Sequence, residues 1–122
     1  MKKALVVDDF DPIITIIESI LAKRGYEVVK AYNGEVGLEQ FEAHAKDICL
    51  IICDLNMPKM DGLTMLETLQ KKGPVPPVIM LSASKEVDKK RAQKAGVNAW
   101  IKKPFTAAEV FLDTLDQVLK KG

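Results

Sequence analysis

The sequence predicts an α/β protein built as an open parallel sheet with helices on both faces. Three observations predict it. Five short apolar, β-branched runs alternate along the chain with longer amphipathic ones. The runs are near-continuously apolar, the pattern of strands covered on both faces. Five strand-plus-helix units of roughly 24 residues fall well short of the about 250 residues an eight-stranded barrel needs, so the sheet stays open.

The first strand is read at Ala4 to Val7. A helix follows: Asp11 suits an N-cap, Pro12 suits the first helical position, and Ile13, Ile16, Ile17 and Ile20 share one face. Lys23-Arg24-Gly25 marks its stop. Further strands are expected at Glu27 to Ala31, Ile48 to Cys53, Val78 to Ala83 and Asn98 to Ile101. Helices fill the gaps at about Gly34 to Ala43, Gly62 to Lys72, Glu86 to Ala95 and Thr106 to Lys120. The last opens with Thr106-Ala-Ala-Glu109, a capping box, and sets Phe111, Leu115 and Val118 on an inward stripe. Met57-Pro58 and Asp61-Gly62 read as turn and helix-start chemistry, with Gly62 permitting a tight backbone. Gly73-Pro-Val-Pro-Pro77 is a loop rather than a linker, and no internal repeat occurs.

The chain has 122 residues, 48% of them hydrophobic, and is expected to form one domain over residues 1–122. Eighteen basic and 17 acidic side chains leave a net charge of +1, which gives no electrostatic case for direct nucleic-acid or membrane binding. The longest apolar run stops at Asp54, far short of the about 20 residues a span needs. Met1-Lys2-Lys3 leads straight into the first strand without the pattern of a secretory signal, so a cytoplasmic location is expected. Cys49 and Cys53, four apart in one strand, place their Cα atoms roughly 13 Å apart, too far for a disulfide, and read as reduced, small apolar residues. His44 has no visible metal or nucleophile partner and reads as a surface residue near a helix end.

In an open α/β sheet, ligands bind outside the carboxyl ends of the strands, near the point where strand order reverses. Here those ends carry Asp8 and Asp9, Asp54, Ser82-Ala83, and Lys102-Lys103-Pro104. A pair of adjacent carboxylates in a partly dry place repels itself, and a cation is its natural companion. Three carboxylates suit a hard ion such as Mg²⁺, which keeps some waters and shares its shell with phosphate. An Asp beside such an ion can attack phosphorus, with a cation and hydrogen-bond donors around the equatorial oxygens. Asp54, Lys103 and Ser82 would supply nucleophile, cation and donor. Successive strand residues point to opposite faces, so only one of Lys102 and Lys103 can serve such a site.

In order and spacing, LVVDDF, ICDLNMPKMDG, IMLSAS and WIKKPF resemble the motifs of receiver domains of two-component response regulators, particularly the chemotaxis type. The resemblance covers essentially the whole chain. It implies a flavodoxin-like doubly wound fold with strand order 2-1-3-4-5. It also implies a phosphoacceptor signalling domain rather than a conventional enzyme, one that assists its own phosphorylation and dephosphorylation. By that likeness Asp54 takes a phosphoryl group from a phosphohistidine on a sensor histidine kinase or a histidine phosphotransfer protein. Asp9 and Asp54 match direct ligands of Mg²⁺, Asn56 the residue whose backbone carbonyl joins them, and Asp8 the acid that acts through water. Lys103 matches the lysine that contacts the phosphoryl oxygens. Ser82 matches the hydroxyl residue that swings toward the phosphate, and Trp100 the aromatic switch position. The implied output surface is formed by the fourth helix, fifth strand and fifth helix. The family usually has a cis peptide before the proline matching Pro104. Two departures stand out: Trp100 where Tyr, Phe or His is more usual, and Ser82 where Thr is.

Other readings start from the same residues. Asp9-Phe-Asp11 resembles the Asp-x-Asp start of haloacid-dehalogenase-type phosphatases, whose second Asp works as acid and base, although such enzymes usually need a longer chain and a further acidic pair. Trp100 also fits a packed aromatic on an edge strand. A nucleotide-binding role lacks both a glycine-rich turn after the first strand and a P-loop.

Overall fold

The computed structural model describes residues 2–55, 57, 60–82, 89–102 and 108–121. Five strands, β1 (Lys3–Val7), β2 (Glu27–Ala31), β3 (Ile48–Asp54), β4 (Val78–Ser82) and β5 (Val97–Lys102), form one sheet in the order β2-β1-β3-β4-β5. Every pairing in it is parallel. The helices are α1 (Asp11–Ala22), α2 (Gly34–His44), α3 (Gly62–Lys72), α4 (Lys89–Lys94) and α5 (Ala108–Lys121). The doubly wound architecture expected from the sequence is therefore present. Part of the expected fourth helix, Glu86 to Asp88, and the first two residues of the capping box, Thr106 and Ala107, lie outside the described residues.

Two cores flank the sheet because strand side chains alternate between its faces. Ala4 and Val6, Leu50 and Ile52, and Ile79 and Leu81 join Ile14, Ile17 and Leu21 of α1 and Phe111, Leu115 and Val118 of α5. Leu5 and Val7, Ile51 and Cys53, and Val78 and Met80 join Leu63, Met65, Leu66 and Leu69 of α3 and the two alanines Ala92 and Ala95. Fully burying one such Leu or Ile contributes roughly 1.5–3 kcal/mol.

The first helix differs from its expectation at two points. Its buried stripe is Ile14, Ile17 and Leu21, whereas Ile16 is 51% exposed. Consecutive isoleucines at 13–14 and 16–17 let more than one stripe be drawn, and packing on β1 selects the one that continues to Leu21. Asp11 also does not act as the N-cap. The cap position is Phe10, without a side-chain cap bond, and Asp11 instead accepts a 2.8 Å hydrogen bond from the Tyr32 hydroxyl. The expected stop holds, with Gly25 at φ +84°, a backbone region open to glycine. α2 and α3 are capped by Asn33, which accepts from the Val36 amide, and Asp61, which accepts from the Thr64 amide.

Candidate metal and phosphoryl site

The strand register brings the acidic groups together. Val7 of β1 pairs with Cys53 of β3, so the next residues, Asp8 just past β1 and Asp54 at the end of β3, stand side by side. Parallel strands lie about 4.8 Å apart. Continuing the alternation of Ala4 and Val6 in one strand and Leu50 and Ile52 in the other, both carboxylates belong to the face covered by α1 and α5. Asp8, Asp9 and Asp54 each offer a carboxylate oxygen, and these oxygens all lie within 4.8 Å of one another.

Asp8 is fully buried and Asp54 is 4% exposed, whereas Asp9 faces solvent. The Asp8 Oδ1 accepts from the Phe10 amide at 2.9 Å, which turns the chain after β1 and holds the carboxylate in place. Ser82, 4% exposed, ends β4 one strand beyond Asp54, and it pairs in register with Lys102 of β5. Asn56, Lys103 and Pro104 lie outside the described residues. Trp100 is half-buried, pairs in register with Met80, and packs against the core on the α3 and α4 side.

Behind Asp54 the packing is tight. A Cβ added to Gly62 would stand 2.4 Å from the Asp54 carbonyl oxygen and 2.9 Å from the Cys53 sulfur, so the start of α3 needs glycine for close approach. The Gly62 amide donates to the Leu55 carbonyl at 2.9 Å, closing the loop after β3. The two thiols are unbridged, and Cys53 donates to the Asp54 carbonyl.

An all-oxygen donor set with carboxylates this close fits a hard divalent cation and does not suit a soft one. The same proximity makes an attached anion unfavourable unless positive charge is supplied.

A family model for the response regulator receiver domain matches residues 4–114. The chain belongs to the response regulator receiver domain family. Receiver domains are the signalling modules of two-component systems. The phosphatase alternative falls away, and the geometry gives a reason: Asp11 sits in the first turn of α1, engaged by Tyr32, rather than in the strand-end acidic group.

Among curated proteins, the chain is 36% identical over 110 residues to the alkaline phosphatase synthesis transcriptional regulatory protein PhoP of Bacillus subtilis, covering 89% of this chain and 45% of that one. It thus spans under half that regulator's length. Among solved structures, the Vibrio cholerae chemotaxis protein CheY4 superposes with a TM-score of 0.84 at 32% identity, covering 97% of this chain and 98% of the other. The Borrelia burgdorferi complex of CheX and CheY with beryllofluoride and Mg²⁺ gives a TM-score of 0.86 at 28% identity, covering 97% and 89%.

One polar group escaped sequence reasoning. Arg91 of α4 donates to Glu67 through two nitrogens, Nε at 3.1 Å and Nη2 at 2.7 Å, and Nη2 also reaches the Thr64 hydroxyl at 3.1 Å. The hydrogen bond from Arg91 holds the Glu67 carboxyl below the usual range for glutamate, against the opposing effect of desolvation. These partners stand 24 and 27 positions apart, so no local spacing signals them.

Proposed function

We propose that this chain, over residues 1–122, is a Mg²⁺-dependent phosphoacceptor whose acceptor is Asp54. The observation that carries the reading is a nearly buried strand-end carboxylate with Asp8 and Asp9 within 4.8 Å and a buried serine on the adjacent strand. In the proposed step an Asp54 oxygen attacks the phosphorus of a phosphohistidine on a sensor histidine kinase or a histidine phosphotransfer protein. The P–N bond breaks, the imidazole departs, and an aspartyl phosphate results.

Asp9, Asp54 and the Asn56 backbone carbonyl would ligate Mg²⁺, with Asp8 acting through water. The ion's part is to offset negative charge on the phosphoryl oxygens. Lys103 would pair with one of those oxygens and Ser82 donate a hydrogen bond to another. Ser82 and Trp100 would then pass the change to a downstream target through the surface of α4, β5 and α5. The same groups would assist hydrolysis of the acyl phosphate, resetting the domain. The beryllofluoride and Mg²⁺ complex of the Borrelia CheY supports this reading by likeness.

Intact-mass measurement after incubation with Mg²⁺ and acetyl phosphate tests the assignment. The wild-type chain should gain one phosphoryl group and the Asp54→Asn variant none. A variant that still gains it would place the acceptor elsewhere.

A further inference from the structure

The described part of α4 runs over Lys89–Lys94. Among the described residues, Ala92 of α4 and Ala95 just after it enter the core with one methyl group each. The hydrogen bonds described for Arg91 and for the Lys94 carbonyl run to one stripe of α3. Thr64, Glu67 and Gln70 follow one another at three-residue spacing on one side of that helix. Thr64 and Glu67 take the Arg91 guanidinium, and the Gln70 side-chain amide donates to the Lys94 carbonyl at 2.8 Å. Two parallel N–H to carboxylate bonds are the geometry in which a partly exposed ion pair contributes measurably. The stripe begins beside the acidic site: Asp61 caps α3 by accepting from the Thr64 amide, and Gly62 next to it abuts the Asp54 carbonyl.

We infer that Arg91 is a latch, fixing α4 to the Thr64, Glu67 and Gln70 stripe of α3 and thereby setting how freely α4 moves. The latch gives the output surface proposed above a mechanical tie to the helix that starts behind Asp54. That consequence rests on the proposed function, but the latch itself is tested without phosphate.

Hydrogen exchange by mass spectrometry on the unphosphorylated chain compares Glu67→Gln, Arg91→Lys and their double variant with wild type. Peptides covering residues 89–96 should exchange about two- to fivefold faster in each single variant, with α1 unchanged. The double variant should be no faster than the singles, since both remove one shared interaction. Exchange in α4 equal to wild type would overturn the latch, as would acceleration spread equally over α1 and α4. Acetyl phosphate labelling, run alongside, reports on Asp54 alone. Its failure would count against the acceptor assignment, while the latch stands or falls with the exchange of α4.

Discussion

At the scale of single residues, Asp8 and Asp9 are neighbours in sequence with opposite surroundings. Asp8 is fully buried and its Oδ1 is already engaged by the Phe10 amide, whereas Asp9 is exposed and able to turn toward an entering ion. A direct ligand contributes more to affinity than a group acting through water, whose removal commonly weakens binding by about tenfold. Asp8→Ala should therefore lower Mg²⁺ affinity by about tenfold, and Asp9→Ala by clearly more. Calorimetric titration of the two variants, each checked for native circular dichroism, measures the order. An equal loss, or a larger one for Asp8→Ala, would reverse the roles. The sequence exposed these acids because charged residues at the end of an apolar strand need a cause. It did not expose the engagement of Asp11 by Tyr32, because a contact across 21 residues leaves no trace in local spacing.

At the scale of elements, the strands were the most legible part of the chain, since short apolar runs that stop at Asp54 or Ser82 suit buried parallel strands and little else. The face of α1 was less legible, because clustered isoleucines satisfy helical spacing in several ways and tertiary packing decides among them. α3 illustrates how an element serves the site by what it lacks. At Gly62 an added Cβ meets backbone, the Asp54 carbonyl oxygen at 2.4 Å, which cannot yield without moving β3. At Gly37 of α2 the nearest atom is the Met65 sulfur at 2.6 Å, the end of an adaptable side chain. Alanine also gains up to about 1 kcal/mol over glycine inside a helix. Gly62→Ala should thus destabilise by roughly 2–3 kcal/mol, and Gly37→Ala by no more than about 1 kcal/mol. Thermal unfolding of both variants checks the ranking, with about 4 °C expected per kcal/mol in a chain of this size. A Gly62→Ala variant as stable as wild type would show that the loop after β3 adapts more than this packing implies.

At the scale of the whole molecule, the sheet order places the acidic rim at the first crossover and the aromatic Trp100 on the edge strand, two strands away from β3. This arrangement was legible only in part. Ser82 and Trp100 stood out by type and position, but the polar seam joining α4 to α3 needs three-dimensional packing to be seen. If Ser82 moves toward a phosphoryl group, it leaves space beside β5, and a half-buried indole there can change rotamer and reshape the surface around α4. Such a change requires contacts that differ between the two states, which beryllofluoride can create as a stand-in for the phosphoryl group on Asp54. Trp100 is the sole tryptophan, so its emission reports this position alone. Beryllofluoride with Mg²⁺ should shift the emission intensity or its quenching by iodide relative to Mg²⁺ alone, and Ser82→Ala should reduce that shift. The latch adds a constraint: Glu67→Gln should preserve the direction of the shift, because it loosens α4 without touching the acidic groups. If emission and quenching stay constant on adding beryllofluoride in wild type and Ser82→Ala alike, Trp100 is a static packing residue, and the signal leaves the domain without passing through the indole.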